Sequence, residues 1–200
     1  MAGLRVIGGI AKGKQLKTRK VRHLRPATDY LREALFNILM YQVPGSFFLD
    51  LFAGSGSIGI EALSRGAERV CFVEKDPGNA RLIRENLEIT GFTDQAEVFT
   101  GDVFHILPLL KRKGCSFHIV FIDPPFRQGL VDPALEMVRE QGLLLPGGLA
   151  ITRSAVGEGI AAEKSSFRKK RYGDSVLLFF KNEDDGGKSR NEDSGLSGEF

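Results

Sequence analysis

The chain is predicted to fold as a doubly wound α/β domain around a mostly parallel sheet, preceded by a small basic hairpin and helix. Three observations carry this expectation. The apolar runs Phe47-Phe48-Leu49 and Phe117 to Ile122 (FHIVFI) are too continuous for half-exposed strands and read as strands buried on both faces. Segments of helical spacing alternate with such runs. Several of the strands run straight into an acid or a glycine at their C-terminal ends, the edge at which sheets of this kind hold their ligands.

From the N-terminus, Leu4 to Lys17 has short apolar patches broken by glycines, with basic residues near-alternating, and reads as a hairpin with a cationic outer side. Pro26 disfavours helix before it, Thr28 or Asp29 can cap the next helix, and Leu31, Ala34, Leu35, Ile38 and Leu39 predict that helix over Tyr30 to Met40. Arg32 and Glu33 would point away from that packed face, toward a substrate. Pro44-Gly45 closes this extension. The first core strand enters Asp50-Leu51-Phe52, the turn Ala53-Gly54-Ser55-Gly56-Ser57 comes next, and a helix starts with Ser57 as its N-cap and ends at Gly66.

A second strand, Arg69 to Val73, stops at Glu74. Asp76-Pro77 opens a helix to about Ile89, with Gly91 beyond it. Ala96 to Thr100 is a strand leading into the junction Gly101-Asp102-Val103-Phe104, a short helix to Leu110 and a surface turn at Lys111 to Gly114. The strand Phe117 to Ile122 meets Asp123-Pro124-Pro125-Phe126. A helix over Leu130 to Glu140, a turn at Leu143 to Gly148 and a strand from Leu149 to Arg153 come next. Phe167 to Tyr172 and Ser175 to Lys181, joined at Gly173-Asp174, read as an antiparallel hairpin at one side of the sheet. The division is thus a basic extension over 1–45, a domain over 46–181 and an acidic tail over 182–200 with too little to bury to be ordered.

Two hundred residues suffice for one such domain, and 42% apolar with 26% charged residues is ordinary for a soluble protein. No apolar run is long enough to span a membrane, and the basic N-terminus lacks a following apolar signal region, so a cytoplasmic protein is expected. Cys71 and Cys115 form neither a disulfide framework nor a metal-ligand spacing; they read as reduced thiols, Cys71 in the core, and no metal is expected. The net charge of +3 hides an asymmetry: Met1 to Thr28 holds eight Lys or Arg and no acid, whereas beyond Asn182 six acids face two bases. A one-sign cationic arm suits a polyanion partner, with solvated surface charge as the plainer reading. Lys164, Arg168, Lys169, Lys170 and Arg171 could extend that surface but read better as a solvated strand end.

Gly54, Gly56 and Gly59 fit G-x-G-x-x-G with Glu74 twenty residues after Gly54, which permits a dinucleotide site. Asp50 argues against one, because a carboxylate beside the turn would repel a pyrophosphate. Taken singly, Asp50, Glu74, Asp102 and Asp123 are caps or loop acids. Together at one sheet edge they disfavour an anionic cofactor and suit S-adenosylmethionine, which carries a sulfonium, an amino group, a ribose and an adenine but no phosphate. Glu74 would take the ribose hydroxyls, Asp102 the adenine amine, Val103 a ring nitrogen through its N–H, and Asp50 the amino group directly or through water.

Asp123-Pro124-Pro125-Phe126 is the most specific signal. Two prolines fix φ and remove two N–H groups, leaving a rigid shelf whose carbonyls are free to accept. Asp123 and the Pro124 carbonyl could hold both N–H bonds of a planar –NH2 group while Phe126 stacks on its ring, aiming the nitrogen lone pair at a methyl donor.

The runs LDLFAGSGSIGIEALSRGA and VEKD within Leu49 to Asp76 resemble the cofactor motif of class I S-adenosylmethionine-dependent methyltransferases, and DPPF resembles their amino-methylating signature. With RVIGGIAKGKQLK, LRPATDYLREALFNIL, FIDPPFRQGL and KRYGDSVL, the chain from Leu4 to Lys181 resembles the RsmD family of bacterial 16S rRNA guanine-N2 methyltransferases. The resemblance implies a seven-stranded Rossmann-like sheet, a guanine N2 target and the small ribosomal subunit or its particles as substrate. By motif it places the donor against Asp50, Phe52, Ala53, Gly54, Ser55, Gly56, Glu74, Lys75, Asp102, Val103 and Asp123. It gives Asp123, Pro124, Pro125 and Phe126 to the target base, and Arg5, Lys12, Lys14, Lys17, Arg25, Thr28 and Arg32 to RNA. A monomer is expected. The rivals are an amino-methyltransferase for adenine or another planar amine, a nicotinamide-dependent oxidoreductase, which leaves the proline shelf unexplained, and a non-catalytic RNA-binding factor.

Overall fold

The computed structural model describes residues 3–19 and 26–183, the side chains of residues 26–28 excepted. The expectations for Arg25, for the Thr28 side chain and for most of the acidic tail lie outside the described residues. Helix α1 runs Pro26–Ile38, earlier than the sequence suggests, so Thr28 and Asp29 lie inside its first turn and do not cap it. Proline at the first helical position explains the shift: its φ is already helical and its missing N–H is one the helix cannot use.

Among the described residues seven strands form one sheet: β1 Phe47–Leu51, β2 Arg69–Glu74, β3 Ala96–Thr100, β4 Phe117–Ile122, β5 Leu144–Ala155, β6 Arg168–Tyr172 and β7 Ser175–Lys181, in the order β3-β2-β1-β4-β5-β7-β6. Pairing is parallel from β3 to β5, while β7 runs antiparallel to both β5 and β6. Helices α2 Ser57–Ser64, α3 Pro77–Thr90, α4 Val103–Arg112 and α5 Val131–Glu140 supply the crossovers. The continuous apolar runs are explained by two cores, one on each face. Phe48, Ile119, Phe121, Leu177 and Phe179 pack on the side of α1, while their neighbours Leu49, Val120, Ile122, Leu178 and Phe180 face the side of α4 and α5.

Two boundaries differ from expectation. Helix α4 continues through Lys111 and Arg112, cations that suit its C-terminal dipole, so those residues are not a turn. Strand β5 begins at Leu144 and not Leu149, absorbing Pro146-Gly147-Gly148 as an irregularity between the pairs Phe117–Leu144 and Ile119–Leu149. Asn182 makes this possible: its Nδ2 donates to the Leu144 and Leu145 carbonyls at 3.0 and 3.1 Å.

The N-terminal segment forms a hairpin closed by the bridge Arg5–Gln15. Leu4, Val6, Ala11 and Leu16 are buried in the same core as Leu35, Phe36 and Ile60, so this extension and the sheet domain share packing. Its anchor is Glu61 of α2, fully buried, whose two oxygens accept the Ile7 and Gly8 N–H groups, each at 2.8 Å. Cys71, expected in the core, is half-buried, and burial pushes its thiol up to about 12. No helix among the described residues is long and apolar enough to cross a membrane.

Candidate active site

The sheet reverses direction of winding at β1, which pairs with β2 on one side and β4 on the other, and ligand crevices form outside the strand ends at such a point. Phe52 follows β1 with φ 60°, a left-handed conformation that costs a non-glycine residue about 1–3 kcal/mol. Gly54 (φ 57°) and Gly56 (φ 76°) continue the turn without that cost. Gly59 then lets α2 lie directly on β2, since a Cβ there would stand 2.2 Å from the Phe72 ring.

Helix α2 is not capped by Ser57. Gly56 is the N-cap residue, Ser57 is already helical, and no side chain of the cap position bonds the helix end. The N–H that a cap would satisfy is taken from below: Asp50 Oδ2 accepts the Gly59 N–H at 3.0 Å. Asp50 is 2% exposed, and burial, foremost, pushes its pKa well above the usual carboxylate value, with the Gly59 bond opposing and the charges of Asp123 and Glu74 adding. Asp50 therefore anchors the turn from beneath through Oδ2.

Glu74, 8% exposed, ties the end of β2 to the turn: Oε2 accepts the Gly54 N–H at 2.7 Å and Oε1 the Asp76 N–H at 2.8 Å. Each oxygen keeps a further lone pair for a hydroxyl donor. Asp102 caps α4 by accepting the Phe104 N–H at 3.0 Å and pairs with Lys75 Nζ at 2.9 Å. The Lys75 bond is the main reason its carboxyl sits below the usual range. Val103, at the first helical position, has an N–H that no carbonyl of its own helix can take.

Asp123 stands where β4 ends, one strand over from the turn. Its Oδ2 accepts from Arg153 Nη1 at 3.0 Å, and Arg153 also donates to Ser175 Oγ at 3.1 and 3.2 Å. The same guanidinium lies 5.1 Å over the Phe126 ring. Burial raises the Asp123 pKa and Arg153 opposes that rise. Pro124 is buried, Pro125 exposed and Phe126 38% exposed. Arg127 follows in a left-handed conformation (φ 59°), its N–H held by Glu158 Oε1 at 2.8 Å. Arg153 and Glu158, which brace the shelf, escape the sequence reading; a cation ending the buried strand Leu149 to Arg153 is the available signal.

A cleft of about 250 Å³ opens beside these groups, with Asp29, Arg32, Gly54, Ser55, Asp123 and Arg153 in its wall. A Cβ on Gly54 would meet nothing within 4 Å, so the turn faces open space. Glu74 and Asp102 stand outside this wall, farther along the sheet edge.

The expected RNA-binding set divides. Arg5 and Lys12 are exposed. Lys14 Nζ reaches the Ile89 and Thr90 carbonyls at 3.2 and 3.1 Å, and Lys17 Nζ pairs with Glu85 at 2.8 Å, so both help dock the hairpin on α3. Arg32 does not face outward: it is 2% exposed, with Nη2 donating to the Arg5 carbonyl at 2.6 Å and to Asp29 at 3.1 Å. The small N-terminal hairpin folds over it, which a single helical wheel does not show.

An antiparallel β7 slotted between β5 and β6 of an otherwise parallel sheet, with the glycine turn at the β1/β4 reversal, is the architecture of class I methyltransferases. The chain belongs to the family described as Conserved hypothetical protein 95, which matches residues 4–181 and is the RsmD family of the sequence motifs. It is 34% identical over 186 residues to "Ribosomal RNA small subunit methyltransferase D" of Escherichia coli K12, covering 92% of each chain. A solved structure of a hypothetical protein from a Thermus species superposes with TM-score 0.76 at 32% identity, over 88% of this chain and 98% of that one. An RNA methyltransferase from Salinibacter ruber in complex with S-adenosyl-L-homocysteine shares the fold alone, with TM-score 0.62 at 18% identity over 86% of this chain and all of that one.

Proposed function

We propose that the protein transfers a methyl group from S-adenosylmethionine to the exocyclic N2 amine of a guanine in small-subunit ribosomal RNA. The observation that carries this is Asp123, in the cleft wall beside the glycine turn, heading a proline shelf whose aromatic residue is partly exposed. The family membership and the name of the Escherichia coli relative support the ribosomal substrate.

The residues present fit the donor. The turn at Gly54 faces open space, Glu74 keeps acceptor capacity for hydroxyls, and the acids at the sheet edge match a cation without phosphates. When bound, the donor supplies a methyl group on an electron-poor sulfonium. Asp123 and the Pro124 carbonyl accept the two N–H bonds of the target amine, favouring a pyramidal nitrogen whose lone pair is available for in-line attack. Arg153 covers one side of the Phe126 ring and leaves the remaining exposed surface for the base to stack on, once the base is extruded from its own stack. Exposed Arg5 and Lys12 lie on the hairpin that would follow the RNA backbone.

The test is incubation with labelled S-adenosylmethionine and either deproteinised small-subunit RNA or immature particles, followed by nucleoside analysis. Label in N2-methylguanosine is expected. Label in another nucleoside, or in none with either substrate, overturns the assignment.

A further inference from the structure

The shelf from Asp123 to Phe126 has a second side. Past Phe126 the surface opens into a groove of about 520 Å³, separate from the cleft at the glycine turn and walled by Phe126, Arg127, Ala155, Val156, Arg171 and Asp174. Strand order brings these residues together. Because β7 runs antiparallel to both neighbours, Ser175 pairs with Ala155 on one side and Tyr172 on the other, which sets the turn Gly173-Asp174 at the sheet edge where β4 ends. Cross-strand partners share a face, so Arg171, opposite Val176, stands on the side of the sheet where Val156 packs.

Two arginines of this wall have donors to spare. Arg127 is exposed, and its guanidinium makes no hydrogen bond or ion pair among the described residues. Its backbone is nonetheless fixed in the left-handed region (φ 59°) by Glu158, whose Oε1 accepts the Arg127 N–H at 2.8 Å and whose Oε2 accepts the Ala155 N–H at 2.9 Å. Such a conformation costs a non-glycine residue about 1–3 kcal/mol and is concentrated at ligand clamps. Arg171 is exposed too, and only its Nε is engaged, by the Gly173 carbonyl at 3.2 Å. Its neighbours on β6 are occupied otherwise: Lys169 pairs with Glu163, and Arg168 lies 5.8 Å over the Phe179 ring. Asp174 contributes an acid to the wall, against the two cations.

We infer that this groove takes a phosphodiester of the RNA strand beside the target guanine, held by Arg127 and Arg171. This deepens the proposed function and rests on its RNA substrate. Arg153, which lies over the Phe126 ring, belongs to the wall of the other cleft, while Phe126 itself lines the groove. A base stacked on the free part of that ring brings its own sugar and phosphate to the same side, since an extruded nucleotide stays joined to its backbone. A guanidinium is a planar fork that matches two phosphate oxygens, and two of them in one exposed groove suit a chain that enters and leaves better than an enclosed small ligand. One nucleotide is thereby divided among three places: its amine at Asp123, its ring on Phe126 and its phosphate between the arginines.

Methylation kinetics of the full chain test this with Arg127→Gln, Arg171→Gln and, as a control, Arg112→Gln, on whichever of small-subunit RNA and immature particles accepts the methyl group. Arg112 is exposed at the end of α4, at the opposite edge of the sheet, and its replacement lowers the net charge equally. Each groove variant should raise KM for the RNA substrate about three- to tenfold, less than a buried charged hydrogen bond is worth because these groups are exposed. That rise should exceed any fall in kcat, calorimetric affinity for S-adenosylmethionine should stay as it was, and the slope of log(kcat/KM) against log salt should become shallower by about 1. Arg127→Lys, which keeps the charge and loses the fork, should recover part of the KM. Unchanged kinetics in both groove variants overturn the contact. So does an equal effect of Arg112→Gln, the mark of diffuse attraction, or a fall in kcat at unchanged KM, the mark of support for the shelf. No transfer to either substrate by the unaltered protein overturns the proposed function and the groove with it, a result distinct from the other three.

Discussion

Arg153 Nη1 lies 3.0 Å from Asp123 Oδ2, and the same guanidinium sits 5.1 Å over the Phe126 ring. One side chain from β5 therefore holds both ends of the Asp123 to Phe126 shelf. It supplies a positive charge that opposes the upward push of burial on the Asp123 pKa, and it orients the ring on which a base would stack.

Replacing Asp123 tests the shelf most directly. Asp123→Ala removes the acceptor proposed for the target amine while leaving the turn and Glu74 untouched. Methyl transfer should fall by at least about a hundredfold, the usual size of such a loss. Donor affinity measured by calorimetry should change little. Near-normal transfer by this variant would show that Asp123 does not hold the amine.

For Arg153, the informative quantity is a pH profile. Burial raises the Asp123 pKa and Arg153 opposes the rise. In the role proposed for it, Asp123 accepts more strongly when ionised, so Arg153→Ala should move the acid limb of kcat/KM to higher pH, and Arg153→Lys should bring it part of the way back. A uniform drop at all pH values, with the limb unmoved, would mean that Arg153 only packs against Phe126.

Glu61→Ala should loosen the N-terminal hairpin. The lost carboxylate accepts from Ile7, Gly8 and, at 2.7 Å, Arg65 Nε, and its charge faces Arg32. Breaking such a buried network by removing one partner costs about 3–5 kcal/mol. Denaturant unfolding should show that loss, and hydrogen exchange should show protection disappearing first over residues 4–16. Unchanged protection there would contradict the anchoring role.

Asp50 makes a stability prediction with a defined sign. Its folded pKa lies well above the ordinary value, so the native state binds its proton more tightly than the unfolded state does. The associated stability is fully present below about pH 4, where the unfolded chain is also protonated, and is lost as pH rises through the folded pKa. Asp50→Asn keeps an acceptor for the Gly59 N–H but cannot ionise. The melting temperature of Asp50→Asn relative to the unaltered protein should therefore rise between pH 4 and pH 8. A difference independent of pH would show that Asp50 is not held against ionisation.

Local order along the chain is legible in the sequence wherever a single segment contains its own cause. The strand ends at Asp50, Glu74 and Asp123, the left-handed glycines of the turn and the start of α3 at Pro77 follow from backbone sterics and from runs long enough to bury two faces. The alternation of β1, β4 and β7 between two cores follows from the same period of two.

Groups whose partners come from far along the chain took their roles from packing instead. The cap of α2 is supplied by Asp50 beneath it, Asn182 lets β5 start early, Arg153 and Glu158 brace the shelf, and the hairpin buries Arg32 under residues 27 positions away. Periodicity and turn chemistry are local, so the order of residues was enough to specify the fold class and the segments that meet at the sheet edge. Which of the charged residues became anchors, braces or cleft wall was settled on folding, because the burial of a charge depends on which distant donor arrives to satisfy it.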